Sequence, residues 1–347
     1  MTRGKMKNWQ KMKIDPKFKE VQIKRSQIID FIRHFFKKEG FLEVTTPILV
    51  KAAGQEPYLN PISISFYDEK NKKYQGYLIT SPEYALKKLL AADFEKIFEI
   101  TKVFRQNESF GGIHNPEFQM LEWYRAHSNY RQIMKDAENL IYFLNQKLNH
   151  KSYLIYQGQK INLKPPWPKI SVKQAFLKYA KINLDRAKNI IAFRKIAQKR
   201  GFKIVKNASW DDIFYYIFLN AVEPKLEKNQ PIIIYDYPLP QAALAKRKNS
   251  FYAERFEIYI GGLELANAFS ELTDWKEQSK RFQREQKIRK SLHKTIIPLD
   301  NDFLNALKLG LPPSGGIALG IERLEMLLLN IKDINDLLPF PAKQMFN

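Results

Sequence analysis

Cysteine is absent from this chain of 347 residues, which removes disulfides and thiolate metal sites from consideration. No stretch approaches the ~20 consecutive apolar residues that span a bilayer, so no membrane partner is expected. The N-terminus, MTRGKMKNWQKMKI, is basic but lacks the apolar run of a secretion signal. Acidic residues are comparatively few, 36 against 58 Lys and Arg, and the net charge of +22 favours anionic partners. The lysines are scattered rather than gathered into one stripe, so the excess speaks to solubility and steering more than to an RNA site. These features fit a soluble cytoplasmic protein. Two nucleotide signatures are also missing. The glycines of Gly315–Gly320 are not followed by Gly-Lys-Ser/Thr, and their spacing is not that of a dinucleotide fingerprint.

What is present is enough apolar residue, 44%, for a sizeable core. Ile28, Ile32, Phe35 and Phe36 recur at helical spacing within Val21–Lys38, and Gly40 is placed to end that helix. Phe41–Pro47 reads as a strand stopped by proline, followed by short β-rich runs at Ile62–Tyr67 and Tyr77–Thr80. Ser81-Pro82-Glu83 opens a helix, with an acid near its positive end. Strands are expected at Ile97–Phe104 and Phe118–Arg125, and a helix at Tyr130–Leu148. The run KPPWPK, Lys164–Lys169, marks a linker or long turn. Helical patterns then cover Val172–Tyr179, Ala192–Arg200 and Asp211–Val222, which together read as an insertion between two halves of one sheet. Strands follow at Ile232–Tyr235, Phe251–Ile260 and Leu263–Leu272, then a charged helix at Asp274–Lys290. A last strand, Gly316–Leu319, runs into a helix from about Gly320. This pattern predicts an α+β domain, an antiparallel β-sheet flanked by helices.

Four segments carry candidate chemistry. Glu39–Leu49, taken alone, is a helix-to-strand junction. Phe104–Arg125 puts Arg105 and Glu108 at the end of one strand, with a Gly111-Gly112 turn before a return strand. A guanidinium there suits bidentate contact with phosphate, and it equally suits a surface ion pair with Glu108. Gly315–Leu329 brings glycines, which permit close backbone approach to a nucleotide, next to Arg323 in a first helical turn. In Gly261–Asp274, Glu264 and Glu271 stand seven apart on a strand, so a bend or bulge near Asn267 is needed to converge them on one Mg²⁺.

In this order, the Pro47, Arg105 and Gly320–Arg323 segments resemble the three signature motifs of class II aminoacyl-tRNA synthetases. TSPEY (80–84), HNPEF (114–118), MLEWY (120–124) and ELANAFSEL (264–272) resemble the lysine-specific branch, and most closely the elongation factor P lysine ligases. The resemblance spans about residues 20–330. It implies a basic extension over residues 1–20 and a catalytic domain over residues 21–340, with a helical insertion at about 150–230. It also implies no anticodon-binding domain and no anticodon contact, because some twenty residues are too few for an OB barrel. Ala318 stands where tRNA-charging lysine enzymes usually have glycine; the ligases resemble this chain in having alanine. Two residues, Gln106 and Asn107, separate Arg105 from Glu108 where many relatives have one, and Glu322 replaces the commoner aspartate.

The implied reaction is activation of lysine or β-lysine by ATP and Mg²⁺, then transfer to a lysine side chain of elongation factor P. By the resemblance, Arg105 would steady the α-phosphate and Arg323 the γ-phosphate. Phe118 would stack on adenine, with Asn107, Glu108, Asn115, Leu265 and Gly320 completing the ATP site. Glu264, assigned a catalytic role, would hold Mg²⁺ with Glu271. Ser81, Glu83, Tyr124, Asn267, Glu271 and Ala318 would receive the amino acid. Motif 1 implies a homodimer. Two other readings stay open: a minimal enzyme charging tRNA or a tRNA-like acceptor, and an inactive paralogue serving as a binding module.

Overall fold

The computed structural model describes residues 6–347 apart from Ala243. The chain begins with two helices, α1 (Asn8–Ile14) and α2 (Pro16–Lys38). Asp15 caps α2 by accepting from Lys17 and Phe18, Pro16 occupies its first position, and Gly40, at φ 77°, ends it. Thus α2 starts a full turn before Val21. Strands β1 (Leu42–Glu43) and β2 (Leu49–Val50) are very short. The expected strand Phe41–Pro47 shrinks to β1 because Thr46 leaves the ladder, giving its N–H and Oγ to the Glu99 carboxylate at 2.8 Å each.

Strands β3 (Ser63–Tyr67) and β4 (Lys73–Leu78) form a three-stranded sheet with β2. Next come α3 (Glu83–Leu90), β5 (Lys96–Phe104), β6 (Glu117–Ala126) and α4 (Tyr130–Asn149). A hairpin, β7 (Tyr153–Tyr156) with β8 (Gln159–Asn162), leads to β9 (Lys169–Ser171). The insertion holds α5 (Val172–Ala175), α6 (Ile190–Lys199) and α7 (Trp210–Ile217). Its expected helices at Val172–Tyr179 and Asp211–Val222 each loosen into a π-helical turn, at Phe176–Ala180 and Phe218–Val222. The C-terminal half contributes β10 (Ile232–Pro238), β11 (Tyr252–Ile260), β12 (Leu263–Ser270), α8 (Trp275–Ser291), α9 (Asn301–Gly310), β13 (Ser314–Gly320) and α10 (Ile321–Leu328). Two short helices, α11 (Ile334–Leu337) and α12 (Ala342–Met345), finish the chain.

One eight-stranded sheet organises the molecule, in the order β1-β5-β6-β13-β12-β11-β10-β9. Its pairs are antiparallel except at the two edges, where β1/β5 and β9/β10 are parallel. Side-chain alternation divides it into two faces. On one, Leu121, Trp123, Ala266, Ala268, Phe256, Ile258, Ile317 and Leu319 are buried in a core with Ile28, Ile32 and Phe36 of α2 and apolar residues of α4 and α10. Burial of such side chains contributes on the order of 1.5–3 kcal/mol each. A second core joins the insertion to the sheet through Ile232, Ile234, Tyr237 and Tyr259. The other face of the central strands is polar. Among the described residues no helix is long and apolar enough to cross a membrane.

Candidate active site

Register explains why the polar residues converge. Gly316 pairs with Tyr124 and Phe269, and Ala318 with Glu122 and Asn267. Asn267 in turn pairs with Glu257, and Phe269 with Arg255. Cross-strand partners share a face, so Glu122, Tyr124, Gly316, Ala318, Asn267, Glu271, Arg255 and Glu257 all point away from the apolar core. Glu264 would lie on the opposite face by strict alternation. The pairing Ile258↔Ala266 is followed by Tyr259↔Glu264, which leaves Leu265 as an extra, bulged residue. That bulge, two positions before the expected bend at Asn267, returns Glu264 to the polar face.

This face floors a cleft of about 440 Å³. Arg105, Glu108, Asn115, Phe118, Glu264, Leu265, Gly320 and Arg323 line it, as do Ser81, Glu83, Tyr124, Asn267 and Ala318. The remaining two expected residues are placed differently. Asn107 is solvent-exposed in a left-handed turn at φ 65°, away from the lining, so it is removed from the ATP set. The extra residue in that loop is accommodated there, which leaves Glu108 facing the cleft. Glu271 lies beneath the floor, 1% exposed.

At one end two arginines meet. Arg105 lies with its guanidinium carbon 5.1 Å from the Phe118 ring centroid, and its buried Nε has no hydrogen-bond partner. Arg323 donates from Nη1 to the Glu264 carbonyl at 2.6 Å, and its Nη2 lies 3.2 Å from His114 Nε2. Glu108 is 3.8 Å from the same imidazole nitrogen. Burial lowers the pKa of Arg105; Glu108 opposes this and Arg323 adds to it. Two cations this close, one with a free buried donor, call for an anion. Gly320 caps α10, and a Cβ there would touch only the Arg323 side chain at 3.9 Å, so space does not require glycine. Glu322 is structural: both its oxygens accept from the Gln119 N–H, at 2.9 and 3.0 Å.

Carboxylates fill the other end. Ser81 Oγ and Tyr124 OH both donate to Glu122, the latter at 3.0 Å, and the Glu83 N–H donates to Ser81 Oγ at 3.1 Å. Lys87, buried one helical turn after Glu83, bridges Glu83 Oε1 and Glu271 Oε2 at 2.5 Å each. Burial works against the charge on Lys87, but the two glutamates outweigh it and raise its pKa. Burial also raises Glu122 to about 8 and Glu271 to about 7. Glu271 Oε1 has no hydrogen-bond partner. A Cβ at Gly316 would lie 2.5 Å from it and overlap the Tyr124 ring, so glycine keeps a path from the cleft to this oxygen. An ammonium group is the complement of such an acceptor.

The expected sharing of one metal by Glu264 and Glu271 is corrected by this arrangement. They share a face, but seven strand residues separate them by roughly 20 Å. Glu264 stands at the arginine end, 4.0 Å from Arg323 Nη1, whereas Glu271 is engaged by Lys87. The acid near Glu264 is Glu257, across the Gly261-Gly262 turn. Desolvation inside the cleft first and Glu257 second raise the pKa of Glu264 despite three nearby arginines, although 45% of its side chain is open to solvent. A surplus of carboxylate at a phosphate-sized cationic pocket fits a divalent cation that also takes phosphate oxygens. Among the described residues no group of three or more His, Asp or Glu could hold a metal without such help.

Sequence reasoning missed Glu122, Lys87, Arg255 and Glu257. Lys87 follows Glu83 by one turn and Glu257 precedes Glu264 by seven residues across a glycine turn; both spacings were visible. Arg255, which lines the cleft, donates to Glu257 at 2.6 Å and to Asn267 at 3.2 Å, fixing both side chains. The cleft also reaches Asp211 and Tyr215 of the insertion, and Arg247, Arg284 and Glu285.

Residues 5–344 match the family described as tRNA synthetases class II (D, K and N). A lysine–tRNA ligase of Buchnera aphidicola is 42% identical over 323 residues, covering 92% of this chain and 62% of that protein. One from Thermoanaerobacter pseudethanolicus is 36% identical over 342 residues, covering 96% of this chain and 66% of its own length. An elongation factor P–(R)-beta-lysine ligase of Haemophilus influenzae is 38% identical over 326 residues, covering 92% of this chain and 94% of that protein. The chain thus spans slightly under two thirds of the lysine–tRNA ligases it matches.

Proposed function

Because the chain belongs to the class II tRNA synthetases of the D, K and N group, which are ligases, we propose that it joins β-lysine to a lysine side chain of elongation factor P at the expense of ATP. The observation that carries this reading is Ala318. Its methyl group stands on the cleft floor between Asn267 and Glu122, flanked along its strand by Gly316 and Gly320. It narrows the carboxylate end where glycine would leave room for an α-amino group.

In the first step a carboxylate oxygen of the amino acid attacks the α-phosphorus of ATP, and pyrophosphate leaves. Arg105 would stabilise charge growing on the α-phosphate, and Arg323, held by Glu264 and His114, would bind the γ-phosphate end. Adenine would use the face of Phe118 that Arg105 leaves free. Glu264, with Glu257 behind it, would offer an oxygen to Mg²⁺, whose chemistry is to neutralise the phosphates. Glu271 Oε1 and Glu83 would take the ammonium groups of the amino acid, while Tyr124 and Ser81 position Glu122. In the second step an unprotonated amine attacks the acyl carbon, the bond to AMP breaks, and the amine proton is lost. The catalytic power lies in positioning and charge, without a covalent enzyme intermediate. A homodimer through the motif 1 region belongs to the same proposal; Ile23, Leu42, Ile48 and Leu49 expose apolar surface there.

Transfer to tRNA is the second reading, favoured by relatives at 36–42% identity that are lysine–tRNA ligases. One experiment separates them. The protein is incubated with ATP, α-lysine or (R)-β-lysine, and either elongation factor P or bulk tRNA, and each acceptor is analysed for added mass. Modified elongation factor P with β-lysine is the expected result. Charged tRNA with α-lysine would replace the proposal by the second reading, and neither product would leave a binding module.

A further inference from the structure

Asn115 lines the cleft, and both ends of its amide are held by the protein itself. Its Oδ1 accepts from the Ala342 N–H at 3.0 Å and its Nδ2 donates to the Glu117 carbonyl at 2.7 Å. Ala342 belongs to the C-terminal segment, and this is one of several ties between that segment and the loop from Asn107 to Asn115. The Ile334 N–H donates to the Gly112 carbonyl at 2.8 Å. Gly111 runs so close to Asn335 that a Cβ would lie 2.6 Å from its Nδ2. Phe110 and Phe346 stand 6.3 Å apart, and Ile113 packs on Ile334, Leu337 and Leu338. The loop's inward side carries Glu108 and His114, which contact each other and, through His114, Arg323.

The segment is itself held from behind by the N-terminus. Asn8 is fully buried, although it lies in a helix of only seven residues. Its Nδ2 donates to the carbonyls of Asn335 and Leu338, the latter at 2.8 Å. Its N–H donates to Gln344 Oε1 at 2.8 Å, and its Oδ1 accepts from Gln344 Nε2 at 2.9 Å. Gln22 of α2 adds a bond to the Leu337 carbonyl at 2.8 Å. A buried asparagine with every polar atom of its side chain satisfied specifies one arrangement, because any other leaves those groups unpaired.

We infer that residues 334–346 form a strap, clamped by Asn8, whose task is to position the Asn107–Asn115 loop and through it His114 and Arg323 at the arginine end of the cleft. Asn8 and the Ala342 N–H are positioning groups for the nucleotide and act through Asn115, which itself lines the cleft. The inference rests on reading that end as the ATP site.

Ala342→Pro is the cleanest test. Position 342 is the first of α12, where proline fits, and Pro341 before it is already extended at ψ 143°, as a residue preceding proline should be. The substitution therefore removes the N–H whose bond Asn115 accepts and sets the ring Cδ against Asn115 Oδ1, breaking this tie while the backbone of α12 can stay as it is. Asn8→Ala attacks the same strap from its other side. Binding of a non-hydrolysable ATP analogue is measured by calorimetry, with KM for ATP and for the amino acid from pyrophosphate exchange and Tm as a control. Both variants should weaken analogue binding and raise KM for ATP about 5- to 10-fold, the scale of one lost buried hydrogen bond. KM for the amino acid should move less than twofold. Unchanged analogue binding in Ala342→Pro overturns the inference, as does an equal rise in both KM values, which a general loss of structure would give. A wild-type protein that binds no ATP analogue would instead overturn the functional reading.

Discussion

The two ends of the cleft solve opposite electrostatic problems. The arginine end holds cations whose partners are incomplete: Arg105 has a buried Nε with nothing to donate to, and Arg323 leans on a backbone carbonyl and an imidazole. The carboxylate end holds acids largely satisfied by the protein itself, through Lys87, Ser81 and Tyr124, with one oxygen of Glu271 left over. Their construction differs as well. The arginine end depends on a loop, a bulge and a helix start, whereas the carboxylate end rests on adjacent strands and the first turn of α3. An end built on paired strands holds its geometry without ligand. An end built on loops needs outside support, which is what the C-terminal strap supplies.

The sharpest way to break this contrast is at the arginines. Arg105→Ala and Arg323→Ala should each lower amino-acid-dependent pyrophosphate exchange by about 10²- to 10³-fold, the scale of losing one preorganised charge contact in a transition state. Wild-type exchange by either folded variant would detach that arginine from the phosphates.

A smaller effect should appear in the pH dependence of stability. Glu122 titrates at about 8 in the folded protein, against an ordinary glutamate value of 4.5 when unfolded. Folding therefore raises its proton affinity, so its contribution is complete below pH 4.5 and is lost as pH rises through about 8. Glu122→Gln keeps an oxygen for one of the two donors, Ser81 or Tyr124, while the other hydroxyl turns to accept from the amide NH2, but it cannot ionise. It should flatten the fall in Tm between about pH 5 and 8, worth ~2–4 kcal/mol at the upper end. Parallel Tm–pH curves for the two proteins would show that Glu122 does not hold its proton in the way its burial implies.

The smallest change expected is at Ala318. Ala318→Gly should narrow or reverse the preference for β-lysine over α-lysine in adenylate formation, by ~1–3 kcal/mol in the ratio of kcat/KM values. Equal ratios before and after the substitution would leave the isomer choice to other residues.

Much of the arginine end was legible because its residues lie in contiguous runs: Arg105, Glu108 and Phe118 fall within one strand–turn–strand, and Arg323 follows its glycines directly. The eight-stranded order was not, since it depends on β13 inserting between β6 and β12 from nearly 200 residues further along the chain. The hairpin β7–β8 was passed over because its four-residue strands carry little periodic signal; α9 was passed over although Asp300 as a cap and Phe303, Leu304 and Leu307 at helical spacing marked it. Asn107 was expected to face ATP on motif proximity alone, and the turn geometry at φ 65° sent it outward.

What the sequence determined by itself is therefore local: which stretches bury one face, where proline and glycine stop them, and which ordered motifs announce an ATP-dependent ligase of this family. The first two follow from period and spacing, which need no knowledge of what packs where; the last rests on the resemblance of the motifs to a known family. Only the tertiary structure decided which acids meet. Glu264 stands with Glu257 rather than with Glu271 because an antiparallel turn brings the first pair side by side, while the strand holds the second pair apart along its length. It likewise decided that Lys87 neutralises the amino-acid end and that Asn8 reaches Gln344, since contacts between distant segments arise from register and burial, neither of which any single stretch of chain encodes.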